Sequence, residues 1–171
     1  MCLEEEVKVS NLLSMYEPQG SPFATHVPLL RALGKGIKTV LELGAGEFST
    51  RLFLDRTYYP DLIELVTVEQ DRKWVVCHDD PRHKIAIVEE PIEPFLEMVD
   101  LSHVDLIFVD NSTSGERRCD TLRWVAAHAG RSLVVAHDFD VPSYAEAAGG
   151  FEHCIVDDRQ SPHTALLWRA K

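Results

Sequence analysis

The sequence predicts an α/β fold: a doubly wound, seven-stranded sheet, mostly parallel, with an antiparallel C-terminal strand. Three observations predict it. Short apolar, β-branched runs alternate with helical segments from residue 38 to residue 137, and strands joined through helices run parallel and need cover on both faces. The last two apolar runs are separated only by residues 157–163, too few for a crossover helix, so that pair must be antiparallel. Between the first strand and the next helix stands Glu42-Leu-Gly44-Ala45-Gly46-Glu-Phe-Ser49-Thr50, an acid, two spaced glycines and a hydroxyl pair. At such a junction the backbone can lie against a ligand and the helix offers free N–H groups.

The elements follow in order. Residues 4–16 read as an amphipathic helix carrying Val7, Leu12, Leu13 and Tyr16, broken by Glu17-Pro-Gln-Gly-Ser-Pro22. Thr25 or His26 opens a second helix with Val27, Leu29, Leu30 and Leu33, which Gly34 and Gly36 end. The first strand covers about 38–43, a helix 49–56 carries Leu52 and Phe53, and the second strand is Leu65-Val-Thr-Val-Glu69. A helix over 71–78, a strand over 84–88 and a helix over 91–99 with Phe95, Leu96 and Val99 inward come next. Asp105 to Asp110 is a buried strand, 117–129 a helix, 132–137 a fifth strand, 142–148 a short helix, and 151–156 with 164–169 the terminal pair. Trp74, Trp124 and Trp168 fall in core patterns and are expected to pack.

With 171 residues the chain is expected to be one domain (1–171): an N-terminal helical segment over 1–36, a core over 37–141 and a C-terminal helix and hairpin over 142–171. Its net charge of -11 argues against nucleic acid, since phosphate binding needs clustered Lys and Arg. A small-molecule partner is expected instead, with no membrane and with a homodimer left open. Cys2, Cys77, Cys119 and Cys154 are scattered without a metal or disulfide pattern, as expected of reduced thiols. The N-terminus lacks a basic and an apolar region of the secretory type, so a cytoplasmic location is expected.

Gly44 and Gly46 are spaced as in a dinucleotide fingerprint, but Ser49 stands where a third glycine would allow close packing. Glu42 is placed to meet a ligand ammonium, directly or through water, or to be held by the amides of the turn. Glu69 ends the second strand 23 residues beyond Gly46, where a carboxylate can accept both hydroxyls of a ribose.

Together with Val68-Glu69-Gln70-Asp71, Phe108-Val-Asp110, Val135-Ala-His137-Asp138 and the reversed final pair, that turn resembles the class I S-adenosylmethionine-dependent methyltransferases. The resemblance runs from about residue 25 to the C-terminus and implies a Rossmann-like sheet. It implies that Glu42, Gly44, Ala45, Gly46 and Ser49 hold the methionine part of the cofactor and that Glu69 with Gln70 holds the ribose. Glu89 or Glu90 would approach adenine, and Asp110 would edge the cofactor site. The spelling Gly-x-Gly-x-x-Ser-Thr with the Val-Asp and His-Asp pairs is similar to small-molecule O-methyltransferases, including cation-dependent ones.

Asp110 and Asp138 end strands that should be sheet neighbours about 4.8 Å apart, so both carboxylates are expected to reach one Mg²⁺. Such an ion would align and activate a substrate hydroxyl. His137 is a candidate to take the proton, since imidazole titrates near neutral pH, which makes His137 and Asp138 the candidate catalytic pair. Catechol-type enzymes have Asn after the second acid and Lys three residues after the first; Phe139 and Thr113 stand there. Asp140 could add an oxygen. Arg117 and Arg118 either face an anionic substrate or begin a solvated helix. Residues 16–26 are a candidate lid. The expected function is therefore methyl transfer from S-adenosylmethionine to a small-molecule hydroxyl. An inactive cofactor-binding module and an NAD(P)-dependent oxidoreductase are the alternatives.

Overall fold

The computed structural model describes residues 21–75, 79–112 and 114–170. The expected first helix, the residues of the lid before Ser21, Cys2 and Cys77 lie outside them. One seven-stranded sheet carries the fold: β1 Thr39–Leu43, β2 Glu64–Glu69, β3 His83–Ile87, β4 Leu106–Val109, β5 Leu133–His137, β6 His153–Asp157 and β7 Thr164–Trp168. Its order is β3-β2-β1-β4-β5-β7-β6. The first five strands are parallel, and β7 runs antiparallel to both β5 and β6. The order reverses between β1 and β4, so the crevice of a doubly wound sheet opens there, at the carboxyl ends of the strands.

Side chains alternate along each strand, so each face takes every second residue. Val40, Leu65, Leu106, Phe108, Val135 and Leu166 pack on one face beneath α1 (Val27–Leu33) and α2 (Glu47–Leu54). Leu41, Leu43, Ile107, Val109, Val134 and Leu167 pack on the other. That second face lies beneath α4 (Gly115–His128) and α5 (Pro142–Ala147), with Leu96 of the single-turn α3 (Glu93–Leu96) at its edge. Both faces are covered, which explains why the central strands read as unbroken apolar runs.

Two helices expected from the sequence are shorter than expected. The helix over 71–78 is, among the described residues, one 3-10 turn, Arg72–Trp74. The Asp71 side chain accepts from the Lys73 amide as an N-cap, and the turn ends where Val75 is extended. Trp74, expected to pack, is 48% exposed. The helix over 91–99 shrinks to α3, followed by single turns that bond Met98 to Phe95 and Val99 to Leu96. Leu96 alone of its three expected inward residues is fully buried.

The turn after β1 is fixed from both sides. The Gly44 amide donates to the Val68 carbonyl at 2.9 Å and the Asp110 amide to the Leu43 carbonyl at 2.8 Å, so the ladders run one residue past the strand. Gly44 has φ +93°, and a Cβ there would lie 2.4 Å from the Asp110 carbonyl oxygen. Only glycine satisfies both constraints. No helix among the described residues is long and apolar enough to cross a membrane.

Gly44→Ala should therefore destabilise the protein by about 3 kcal/mol or more, the left-handed backbone and the backbone clash adding together. Urea unfolding measures it. A loss under about 1 kcal/mol, the level of an ordinary substitution, would mean the turn has room that this geometry denies.

Candidate functional site

Register brings the polar residues together. One position beyond Leu43, Gly44 lies level with Glu69 and with Asp110, and Asp110 lies level with His137. Glu69, Asp110 and His137 share the sheet face that α1 and α2 cover, as do Glu42 and Thr67 one row deeper. The result is a polar row along the carboxyl edge, spanning the point where the strand order reverses.

Glu42 points into the protein rather than into the crevice. It is fully buried and accepts hydrogen bonds from Ser49 Oγ at 2.6 Å, Thr50 Oγ1 at 2.8 Å and Thr67 Oγ1 at 2.6 Å. The expected contact with a ligand ammonium is thus replaced by a hub tying α2 to β1 and β2, and the Ser49 hydroxyl is spent on the same hub. Burial raises the Glu42 carboxyl to about 7, against the opposing pull of the three hydroxyls.

Glu69 latches the turn. Its Oε2 accepts from the Ala45 amide at 2.6 Å, and its Oε1 accepts from the Gln70 and Asp71 amides at 2.7 and 2.8 Å. Three of roughly four carboxylate lone-pair positions are thereby filled, so chelation of two ribose hydroxyls would require some of these amides to let go. Beside it the Gln70 side-chain Nε2 is buried without a partner. Gly46 caps α2 without a side-chain bond, leaving the amides of the first turn without a side-chain acceptor. Ala45 and Gly46 are half-buried, and Glu89 is exposed two residues beyond β3.

At the other end of the row the expected pair of metal-binding carboxylates is bridged by a side chain. Arg118 of α4 is buried and bonds Asp138 Oδ2 through Nη1, lies 3.2 Å from Asp110 Oδ1 through Nη2, and donates Nε to the Asn111 carbonyl at 2.8 Å. Its guanidinium fills the place expected for Mg²⁺. Asp138 reaches it because its φ is +57°, which takes it out of the strand's alternation. The sequence left Arg118 open between a substrate contact and a solvated helix start. The signal that could have placed it inside is its spacing, four residues before the buried Leu122 on one helical face.

His137 is also buried. Its Nε2 lies 2.8 Å from Thr25 Oγ1 and its Nδ1 3.2 Å from Asp110 Oδ1. Burial pushes the Asp110 carboxyl up, but the His137 hydrogen bond and the charges of His137 and Arg118 outweigh it and hold it below its ordinary value. The imidazole of His26, named in the sequence only as a helix opener, stands edge-on to His137 with ring centroids 4.8 Å apart. Burial and then His137 lower His26 to about 3, against the opposing effect of Asp110.

No family model matches this sequence, and no curated protein does. Solved structures do share its fold. Spermidine synthase from Thermotoga maritima superposes with TM-score 0.65 at 16% identity, covering 86% of this chain and 60% of that one. The chain therefore spans about three-fifths of that protein's length. An SAH-bound methyltransferase of Podospora anserina gives 0.59 at 14% identity, covering 100% and 97%. Precorrin-6y C5,15-methyltransferase of Geobacter metallireducens gives 0.61 at 10%, covering 92% and 95%. The chain has the Rossmann-like fold of the class I S-adenosylmethionine-dependent methyltransferases.

The raised Glu42 carboxyl has a measurable consequence. Unfolded it titrates near 4.5 and folded near 7, so between these values the folded chain holds more protons. This contribution is complete below pH 4.5 and is lost as pH rises through 7. Glu42→Gln cannot ionise. The stability of the wild type relative to it should fall by about 3 kcal/mol between pH 4.5 and 7.5, read by urea unfolding at each pH. Parallel curves would show that Glu42 does not titrate in this window.

Proposed function

We propose that the protein binds S-adenosylmethionine at the carboxyl edge between β1 and β4 and transfers its methyl group to a small-molecule hydroxyl. The observation that carries this reading is the turn Gly44–Gly46, joined to the end of β2 through Glu69 and to the end of β4 at the Asp110 carbonyl, at the reversal of strand order. The residues fit such a cofactor. A Cβ at Gly44 would close the turn, the unpartnered Gln70 Nε2 offers a donor beside the Glu69 carboxylate, and the acidic Glu69 and Asp110 suit a sulfonium. Gly44, Ala45 and Gly46 would hold its methionine part and Glu69 with Gln70 its ribose. Bound there, it supplies an already activated methyl group.

What remains for the chain is alignment and proton removal. Asp138, about one-third exposed, is the carboxylate at the rim, and we assign it contact with the acceptor hydroxyl and receipt of its proton. Arg118 orients it through Nη1. His137, enclosed by Thr25 and Asp110, takes a positioning role rather than that of the base. A cation between Asp110 and Asp138 forms no part of this reading, because Arg118 supplies the positive charge there. The soluble, cytoplasmic, single-domain character expected from the sequence is consistent with this reading and rests on the sequence alone.

Two measurements test it. S-adenosylhomocysteine should bind one-to-one by calorimetry, and Glu69→Ala should weaken it about tenfold or more, as expected for losing a charge-assisted hydrogen bond. NADH binding in its place would overturn the reading. Asp138→Asn should leave that affinity unchanged while lowering turnover about 100-fold or more in a product screen over hydroxyl and amine acceptors. Undiminished turnover would remove Asp138 from the chemistry, and tight binding with no wild-type turnover on any acceptor would favour the inactive module.

A further inference from the structure

Under the N-terminal edge of α1 lies His26, which methyl transfer does not use, against His137 and Asp110 of the proposed site. His26 is 2% exposed and His137 4% exposed, and neither ring nitrogen of His26 has a hydrogen-bond partner. A neutral imidazole carries one N–H donor and one lone pair, so burial without partners leaves both unsatisfied, an arrangement that demands an explanation. Asp110 brings a carboxylate that is 27% exposed to the same point. Ligand atoms from His26, Asp110 and His137 lie within 4.8 Å of one another.

We propose that His26, His137 and Asp110 form a binding site for a divalent transition-metal ion of the zinc type. Two imidazoles and one carboxylate match the donor preference of such ions, whereas Mg²⁺ prefers oxygen. In the tetrahedral geometry of such ions, ligands at about 2.1 Å from the ion stand roughly 3.4 Å apart, so the widest-spaced pair closes by up to about 1.4 Å on binding. The cluster also has the charge to receive an ion. Asp110 and Asp138 carry two negative charges against one on Arg118, and the imidazoles add none while neutral.

Thr25 supports the ligand role. Its hydroxyl lies on His137 Nε2 and can accept that N–H, which leaves the Nδ1 lone pair facing Asp110 Oδ1 at 3.2 Å. Two acceptors so close repel unless a cation sits between them. Metal-binding imidazoles characteristically donate their second nitrogen to a fixed partner in this way. In the opposite tautomer, that of the His137–Asp110 hydrogen bond in the ion-free protein, Nδ1–H donates to Asp110 and there is no place for the ion, so ion binding must displace this proton. Asp110, the most exposed member of the three, is the ligand an ion would meet first.

The test uses the full chain, stripped of metal and without S-adenosylmethionine. Co²⁺ is titrated as the probe, followed by visible absorption, with Zn²⁺ affinity from competition against a chromophoric chelator. One equivalent should bind and give the ligand-field bands of a site with nitrogen donors. His26→Gln and His137→Gln should each weaken it about tenfold or more, and Thr25→Val should weaken it by a similar or smaller factor. The exposed His103→Gln should leave it unchanged. X-ray absorption of the Zn²⁺-loaded wild type, which depends on no variant, should show two imidazoles in the shell. Absence of one-to-one binding, affinity unchanged in folded His26→Gln, or a shell of oxygen alone would overturn the site. None of these results bears on S-adenosylhomocysteine binding, which tests methyl transfer separately.

Discussion

The structure depends on how closely the turn after β1 approaches the end of β4. Gly44 sits in a left-handed conformation against the Asp110 carbonyl, and its amide reaches across to Val68 on β2. Three strand ends are thus drawn to one point. Glu42 lies directly beneath and binds the hydroxyls of Ser49, Thr50 and Thr67, so α2 cannot shift without breaking a buried carboxylate's hydrogen bonds. Above it, Glu69 holds the Ala45 amide. The site's backbone is preorganised by what lies under and beside it.

Charge organises the far half of the edge. Burying the Arg118 guanidinium alone would be costly, and its placement is tolerable because two carboxylates and the carbonyls of Asn111 and Ser112 surround it. The same guanidinium fixes Asp138 at the rim and leaves Asp110 turned toward His137. One buried cation thereby separates the two carboxylates into different roles, the outer one facing solvent and the inner one facing an imidazole. The closeness of Asp110 to His137 follows from sheet register alone.

Much of this was legible in the sequence because it depends on local pattern. The apolar runs placed all seven strands within one or two residues, and the seven residues between the last pair fixed their antiparallel sense. The glycine spacing located the turn. What periodicity cannot report is the partner of a polar group. Glu42 ends an apolar run in sequence, yet its direction was set by hydroxyls seven, eight and twenty-five residues away. Adjacency of Asp110 and Asp138 followed from strand pairing, but the left-handed backbone at Asp138 and the reach of Arg118 are tertiary features. His26 reads as one more polar residue before a helix, and only the fold sets it against His137. Of the helix expected over 71–78, the described residues hold the single turn Arg72–Trp74, which ends where Val75 is extended.

The central claim is that the β1 turn and the end of β2 together form the cofactor site, and amide hydrogen exchange reads those backbone groups directly. Adding S-adenosylhomocysteine should slow exchange at Ala45 to Phe48 and at Gln70 and Asp71, while β6 and β7 stay unchanged. Exchange unaltered at the turn would contradict the account. So would protection instead at the cavity of about 740 Å³ between Leu96, Leu101 and Trp124, which lies away from these residues.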